Sequence, residues 1–199
     1  MSINLAKNQT INLAKRDGGT LRNVRMGLGW DAKTITTTKK GLFGGVKTTT
    51  TQKNIDLDAS AILVGGGAVQ DIVYFGHLTS DDGSLRHTGD NLTGAGDGDD
   101  ESILVNLSTI PARVDTIVFT VNSYSGEKFT DIDNAYVRVV DTDQNDTEIA
   151  RYELSGGESS TALVMAKVTR SGSGWSLTAV GKYAEGRTAQ QLQSIALTV

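Results

Sequence analysis

The chain contains no cysteine, a single proline and only two histidines among its 199 residues. Without cysteine, the polypeptide by itself cannot form disulfides, thiolate nucleophiles or zinc–sulfur sites. With only His77 and His87, a multi-histidine metal site would require more than one chain. The sequence therefore excludes thiol-based catalysis and reduction, and any metal bound here must use mainly oxygen ligands.

Long apolar runs and basic stripes are absent as well. No segment approaches a membrane span in length, and the opening residues, MSINLAKNQTINLAK, contain no apolar core of signal-peptide length. The net charge of −4 and the pI near 5.2 argue against nucleic acid as a main partner. We therefore expect a cytoplasmic protein without a transmembrane segment.

The remaining composition is that of an ordinary globular chain. With 38% hydrophobic and 21% charged residues, the chain is long enough to bury a proper core. No linker-like segment divides it, so we predict a single domain over residues 1–199.

Apolar residues recur with period two in many short segments, which is the pattern of half-buried strands. In one of them Val24, Met26, Leu28 and Trp30 alternate with small or charged residues. Further predicted strands cover residues 61–64, 69–75, 103–107, 116–122, 135–140, 149–154, 162–169 and 175–180. Strands of this length, separated by Gly, Asn, Asp and Ser, predict an all-β fold, a β-sandwich or barrel.

Helical patterns are rare. The clearest one begins after Thr188, a plausible N-cap, and includes Leu192, Ile195 and Ala196. A second, shorter helical turn is predicted within residues 127–133. The sequence INLAK occurs at residues 3–7 and again at 11–15, which predicts a hairpin or two edge strands in equivalent environments.

Residues 33–53 form an insert with eight threonines and five lysines. We predict a surface loop here. The alternative is that Leu42 and Phe43 at its centre form an apolar knob that docks to a partner.

The acidic loop at residues 81–101 carries seven carboxylates that are opposed only by Arg86. Like charges held in one compact loop repel each other, and a hard divalent cation removes that repulsion. Calcium takes six to eight oxygen ligands, and glycines let the backbone bend to present them. The alternative is a solvated loop that binds no ion.

Two further acidic groups lie elsewhere in the chain. Asp56 and Asp58 are one residue apart and would share one face of an extended strand, where Asp31 could join them. Residues 141–148 resemble the first positions of an EF-hand loop, but Asp146 stands where glycine is needed and Tyr152 where glutamate is needed. We interpret that segment as a polar turn between strands.

Several motifs together closely resemble the TerD-like tellurium-resistance and stress-protein family. They are GLGWD at 27–31, IDLDAS at 55–60, DGSLRHTGDNLTGAGDGDDE at 82–101, NAYVRVVD at 134–141 and ARYEL at 150–154. The similarity covers nearly the whole chain and is strongest to the TerZ-type members, with the 33–53 insert as the least similar part.

This resemblance implies a β-sandwich of two mainly antiparallel sheets that binds calcium, with two ions held by the Asp-rich loops. Neither the sequence nor the resemblance divides the ligands between two sites, and we expect His87 to be a hydrogen-bond partner and not a ligand. The implied ligands are Asp31, Asp56, Asp58, Asp90, Asn91, Asp97, Asp99, Asp100 and Glu101.

Three functions follow from this sequence. The favoured one is a non-enzymatic calcium-binding module of a stress or tellurite-resistance system, acting through partner proteins or membrane-associated complexes. The second is a metal-dependent hydrolase or phosphoryl-transfer enzyme that uses the carboxylates. The third is an assembly or glycan-binding module in which calcium is only structural.

Overall fold

A computed structural model of the chain describes residues 2–15, 18–32, 34–40, 46–52, 55–90, 98–153 and 157–199. The strands are β1 (Ile3–Asn4), β2 (Thr10–Asn12), β3 (Asn23–Ala32), β4 (Thr34–Lys40), β5 (Val46–Gln52), β6 (Leu57–Gly65), β7 (Ala68–Val73), β8 (Leu85–His87), β9 (Glu101–Asn106), β10 (Thr116–Ser123), β11 (Ile132–Asp141), β12 (Thr147–Glu153), β13 (Ala162–Ser171) and β14 (Gly174–Ala184). The helical elements are two 3₁₀ turns, Phe129–Asp131 and Ala189–Leu192, and the short helix α1, Gln193–Ala196.

Within the described residues, the strands form two six-stranded sheets and one separate hairpin. Sheet 1 has the order β1-β12-β11-β3-β9-β8, and sheet 2 has the order β2-β14-β13-β10-β6-β7. All pairs are antiparallel except β1 with β12. The predicted all-β sandwich with a short helix near the C-terminus is therefore confirmed.

The core lies between the two sheets and follows from the period-two pattern of the strands. Met26 and Leu28 of sheet 1 and Ile117 and Phe119 of sheet 2 are almost completely buried in one common cluster. Since successive side chains of a strand point to opposite faces, the residues between them lie on the outer faces of the sheets.

The outer face of sheet 2 is covered by the C-terminal segment, residues 188–199. Here Ile62 and Val118 pack with Leu192 and Ala196 in a second, smaller apolar cluster. This explains why β6 is buried along its whole length, on both faces. The same outer face continues toward the start of β6, where it carries polar side chains instead.

Both helical segments lie where the sequence predicts them, but the side chain of Thr188 does not act as a cap. The C-terminal helical segment consists of a 3₁₀ turn followed by α1, and it starts directly after Thr188. Thr188 has extended backbone angles, but its side chain makes no capping hydrogen bond. A 3₁₀ turn also lies within residues 127–133, as predicted.

Both copies of the INLAK repeat form short edge strands, and they do not pair with each other. Strand β1 runs parallel to β12 at the edge of sheet 1, whereas β2 pairs antiparallel with β14 at the edge of sheet 2. Of the two predicted alternatives, the structure has the edge strands. The predicted equivalence of their environments is wrong, because the two strands join different sheets in opposite senses.

The prediction of a surface loop at residues 33–53 is wrong for most of the segment. Strands β4 and β5 pair antiparallel from Thr34 opposite Gln52 to Lys40 opposite Val46. The run of β-branched threonines explains this, because such side chains favour extended backbone. The predicted knob at Leu42 and Phe43 lies outside the described residues.

Within the segment 141–148, residues 142–146 form a turn between β11 and β12, as the sequence predicts. The Oδ1 atom of Asp141 accepts a hydrogen bond of 3.0 Å from the backbone N–H of Asp143. Asn145 and Asp146 both have positive φ angles, and Asp146 occupies the position where an EF-hand loop requires glycine. In the part of the chain described, no helix has the length and apolar character needed to cross a bilayer.

We expect Leu192→Ala to lower the free energy of unfolding by about 2–5 kcal/mol, because it leaves a cavity under the C-terminal segment. Leu197→Ala is the matched control, since Leu197 lies in the same segment but is 44% exposed. It should change the stability by less than about 0.5 kcal/mol. Denaturant unfolding of both variants checks this, and equal effects would contradict the packing described.

Candidate metal centre

Three of the predicted ligands meet at one end of the sandwich. Asp56 directly precedes β6, Asp58 is its second residue, and Asp90 follows β8. One carboxylate oxygen from each lies within 4.8 Å of the other two. Asp58 is buried, Asp56 is half-buried and Asp90 is exposed, so the group reaches from the protein interior to the surface. We call Asp56, Asp58 and Asp90 the first acid cluster.

The first acid cluster carries uncompensated negative charge. Burial, together with the carboxylates of Glu101, Asp56 and Asp90, raises the pKa of Asp58 from 3.8 to about 7, against the effect of a hydrogen bond from Asn122. Burial also raises the pKa of Asp56, with Asp90 and Glu101 adding to it. The Oδ1 atom of Asp56 is shielded from solvent and has no hydrogen-bond partner among the described residues. Carboxylates clustered in this way could hold a divalent cation.

Glu101 lies behind this cluster and connects the two sheets. It is 1% exposed, and its Oε2 atom accepts a hydrogen bond of 2.7 Å from the backbone N–H of Ala59 in sheet 2. The Nε2 atom of His87 lies 3.4 Å from the same oxygen, while its Nδ1 atom accepts a hydrogen bond from Gly89. His87 therefore lies beside Glu101, and its ring nitrogens face Glu101 and Gly89 instead of the first acid cluster.

Asp31 and Asp100 form a second acidic pair at the end of β3. The Oδ2 atom of Asp100 accepts a hydrogen bond of 2.9 Å from the backbone N–H of Trp30, and Asp31 accepts one of 2.8 Å from the side chain of Asn134. Burial raises the pKa of Asp100, and the carboxylates of Asp31, Asp99 and Glu101 raise it further, although the hydrogen bond from Trp30 opposes them. Asp31 thus lies with Asp100 in the structure.

Asp99 has two cationic partners, Arg25 and Arg138. Its carboxylate accepts a hydrogen bond of 2.6 Å from Nε of Arg138 and a second, short one from Arg25. Its side chain is 3% exposed. In an extended chain Asp99 and Glu101 would share a face, but β9 begins only at Glu101. The two side chains therefore have different partners, contrary to the alternation that the sequence suggests.

Two of the predicted ligands, Asn91 and Asp97, lie outside the described residues. Sequence reasoning also missed a group that the structure brings together, namely Asp71, His77 and Asp81. The Nε2 atom of His77 lies 3.6 Å from Oδ1 of Asp71 and 3.8 Å from Oδ1 of Asp81. The signal available in the sequence is the four-residue spacing between His77 and Asp81.

Fold and site together define a class: an all-β sandwich with clustered carboxylates on the loops at one end of its sheets. The chain belongs to the TerD domain family, whose model matches residues 1–196. The family resemblance in the sequence is thereby confirmed.

The relatives include resistance and stress proteins. The chain is 44% identical to "Tellurium resistance protein TerZ" of Serratia marcescens, covering 96% of this chain and 95% of that one. It is 39% identical to "Stress response protein SCP2" of Bacillus subtilis, covering 98% of each. A crystal structure of a homologue of telluride resistance protein (TerD) from Streptomyces coelicolor shares the fold, with a TM-score of 0.62 and 19% identity over 88% of this chain and 97% of that one.

The raised pKa of Asp58 predicts a pH dependence for the calcium-free protein. The unfolded chain loses this proton near pH 3.8, whereas the folded protein keeps it until about pH 7. The contribution of Asp58 to stability is therefore complete below about pH 4 and is lost as the pH rises to about 7; the amount is on the order of 4 kcal/mol. Asp58→Asn should flatten this decline in denaturant midpoints measured without calcium.

Asp115→Asn is the control for this experiment. Asp115 is exposed and directly precedes β10, whereas Asn122 lies near the other end of that strand. The control should retain the decline of the unmodified protein. A decline of the same size in Asp58→Asn would show that Asp58 does not cause it.

Close packing at Gly27 also predicts a specific effect. A methyl group at this position would overlap the carboxylate of Asp99, which two arginines hold in place. Gly27→Ala should lower the free energy of unfolding by about 1–3 kcal/mol. Gly174→Ala is the control, because its methyl group would meet only the carbonyl oxygen of Ser171, at 3.9 Å. Thermal melts of the two variants should therefore differ, and coinciding melts would contradict this packing.

Proposed function

We propose that this chain is a non-enzymatic calcium-binding stress protein whose acidic loops bind about two calcium ions and thereby order a surface for partner proteins. The first acid cluster is the observation that supports this most strongly. One oxygen of each of three carboxylates lies within 4.8 Å of the other two. A divalent cation would offset the burial and the repulsion that together raise the pKa of Asp58. Because calcium prefers many oxygen ligands in flexible loops, it suits this donor set better than magnesium does.

We assign one ion to Asp56, Asp58 and Asp90, with Glu101 supplying further negative charge behind them. We assign the second ion to Asp31 and Asp100, because burial and then the neighbouring Asp31 carboxylate raise the pKa of Asp100. Asn91 and Asp97 complete the proposed ligand set from the loop before β9. Asp99 instead orients this loop on sheet 1 through Arg25 and Arg138.

The role in stress or tellurite resistance is proposed from the relatives, whose names describe those functions. The partners would be other proteins of such a system, in the cytoplasm or in complexes at a membrane. Catalysis is not part of the proposal. His87, the histidine beside the cluster, is 2% exposed and accepts a hydrogen bond from Gly89, so it is poorly placed as a general base for a bound substrate.

Calcium titration of the metal-free protein tests this proposal. We expect saturable calorimetric binding and a higher melting temperature with calcium than with chelator, since a ligand that binds only the folded state stabilises it by about 2.7 kcal/mol at 100 times its dissociation constant. Asp58→Asn should lose most of this stabilisation, because it removes a buried ligand charge. Asp115→Asn, the same change at an exposed position directly before β10, should keep it.

A flat titration together with equal melting temperatures would refute calcium binding. Metal-dependent hydrolysis of a phosphate ester that disappears in Asp58→Asn would instead establish the enzymatic alternative.

A further inference from the structure

A small cavity of about 60 Å³ lies on the outer face of sheet 2, beside the first acid cluster. Asp58 and Ser60 of β6 and Asn122 of β10 line its inner side, and Thr188 at the start of the C-terminal segment closes it. Asp58 lies directly opposite Asn122 in the sheet. The cavity is therefore the polar continuation of the face that Ile62 and Val118 make apolar further along the same strands.

Two buried polar atoms in the lining residues have no partner among the described residues. They are Oγ of Ser60 and Oδ1 of Asn122, and both residues are 1% exposed. The orientation of the Asn122 amide is determined by its contacts, because Nδ2 donates to Oδ2 of Asp58 at 3.0 Å and to the backbone carbonyl of Arg187 at 2.9 Å. Buried polar groups without partners are costly, so such groups mark a place where a ligand or water binds.

The polar groups of the lining residues can accept hydrogen bonds from a ligand. Oδ1 of Asn122 can only accept hydrogen bonds, the carboxylate of Asp58 accepts when ionised, and the Ser60 hydroxyl can accept one. A primary ammonium group has three donors and no acceptor, so it matches these three groups. It also suits the acidic surroundings, because the carboxylates of Asp56 and Asp90 lie beside that of Asp58.

The rim of the cavity is aromatic and partly exposed. Tyr74 and Phe75 line it, with ring centroids 5.4 Å apart in an edge-to-face arrangement. Phe75 is 39% exposed and in turn contacts Tyr124, which is 53% exposed. Aromatic rings attract cations and pack against methylene groups. A water molecule would use the polar lining but would gain nothing from this rim.

We propose that this cavity binds a primary alkylammonium group, with its nitrogen at Asp58, Ser60 and Asn122 and its methylene chain against Phe75. The group comes from a lysine side chain of a partner protein or from a free alkylamine, which offer the same chemistry. The site shares Asp58 with the proposed calcium centre, but ammonium binding does not require the ion.

NMR titration of the ¹⁵N-labelled protein with n-butylammonium tests the proposal. We expect saturable shifts of the Ser60 amide and of the Asn122 side-chain NH₂ signals. n-Butanol is the matched neutral probe and should leave both unchanged. If n-butylammonium gives no saturable shift, or n-butanol gives the same shift, the proposal is wrong and the cavity holds water only.

Ser60→Ala removes one acceptor without touching a proposed calcium ligand, and we expect it to weaken n-butylammonium binding about tenfold. Thr169→Val is the control, because the Thr169 hydroxyl also lacks a partner among the described residues but lies opposite Thr116, at the far end of β10. Phe75→Ser is a second test that leaves the core intact, and it should weaken binding as well. Unchanged affinity in both Ser60→Ala and Phe75→Ser overturns the site.

The same samples distinguish a protein lysine from a free amine as the ligand. They also separate the ammonium proposal from the calcium proposal. A terminally blocked Gly-Lys-Gly peptide that binds more tightly than n-butylammonium identifies a protein lysine as the ligand, and weaker binding excludes that source in favour of a free amine. Calcium affinity should be unchanged in Ser60→Ala. Calcium binding without n-butylammonium binding overturns only the ammonium site, and the reverse result overturns only the calcium proposal.

Discussion

Buried negative charge at one end of the sandwich is the constraint on which the functional end of this protein depends. Asp58 and Glu101 are both almost fully buried, and an ionised carboxylate in such a place is costly unless a cation or hydrogen bonds compensate it. The backbone of Ala59 and the side chain of Asn122 provide hydrogen bonds. The remaining charge raises the proton affinity of Asp58, and this makes the same carboxylates suited to a divalent cation.

The chain compensates its acids in two different ways. At Asp99 it uses arginines from β3 and β11, so this carboxylate is neutralised within the protein and holds the loop before β9 against sheet 1. At Asp56 and Asp58 the described residues include no such cation; Asn122 instead connects the cluster to the backbone of Arg187 and hence to the C-terminal segment. We therefore expect a structural change at the first acid cluster to affect the C-terminal segment through the side-chain amide of Asn122.

Much of the sandwich could be predicted from local pattern, and the errors have physical reasons. Alternation identified β3, because only one face of this strand carries the apolar side chains that meet the core. It missed β4 and β5, where threonine-rich strands pair only with each other and show no apolar face. It also missed β8, because three residues among many acids are too few to show a period.

The sequence by itself determined the class of fold, the family and the supply of oxygen ligands, because strand periodicity and composition are local properties. Only the tertiary structure decided which charged side chains lie together. Asp56 and Asp58 lie with Asp90, Asp31 lies with Asp100, and Asp99 lies with two arginines. The positions of Asp99 and Asp100 depend on the register of β3 with β9 and β11, whereas Asp56 and Asp58 of sheet 2 meet Asp90 because the two sheets pack together. Register joins residues far apart in the chain, and the spacing of acids along the sequence carries no information about it.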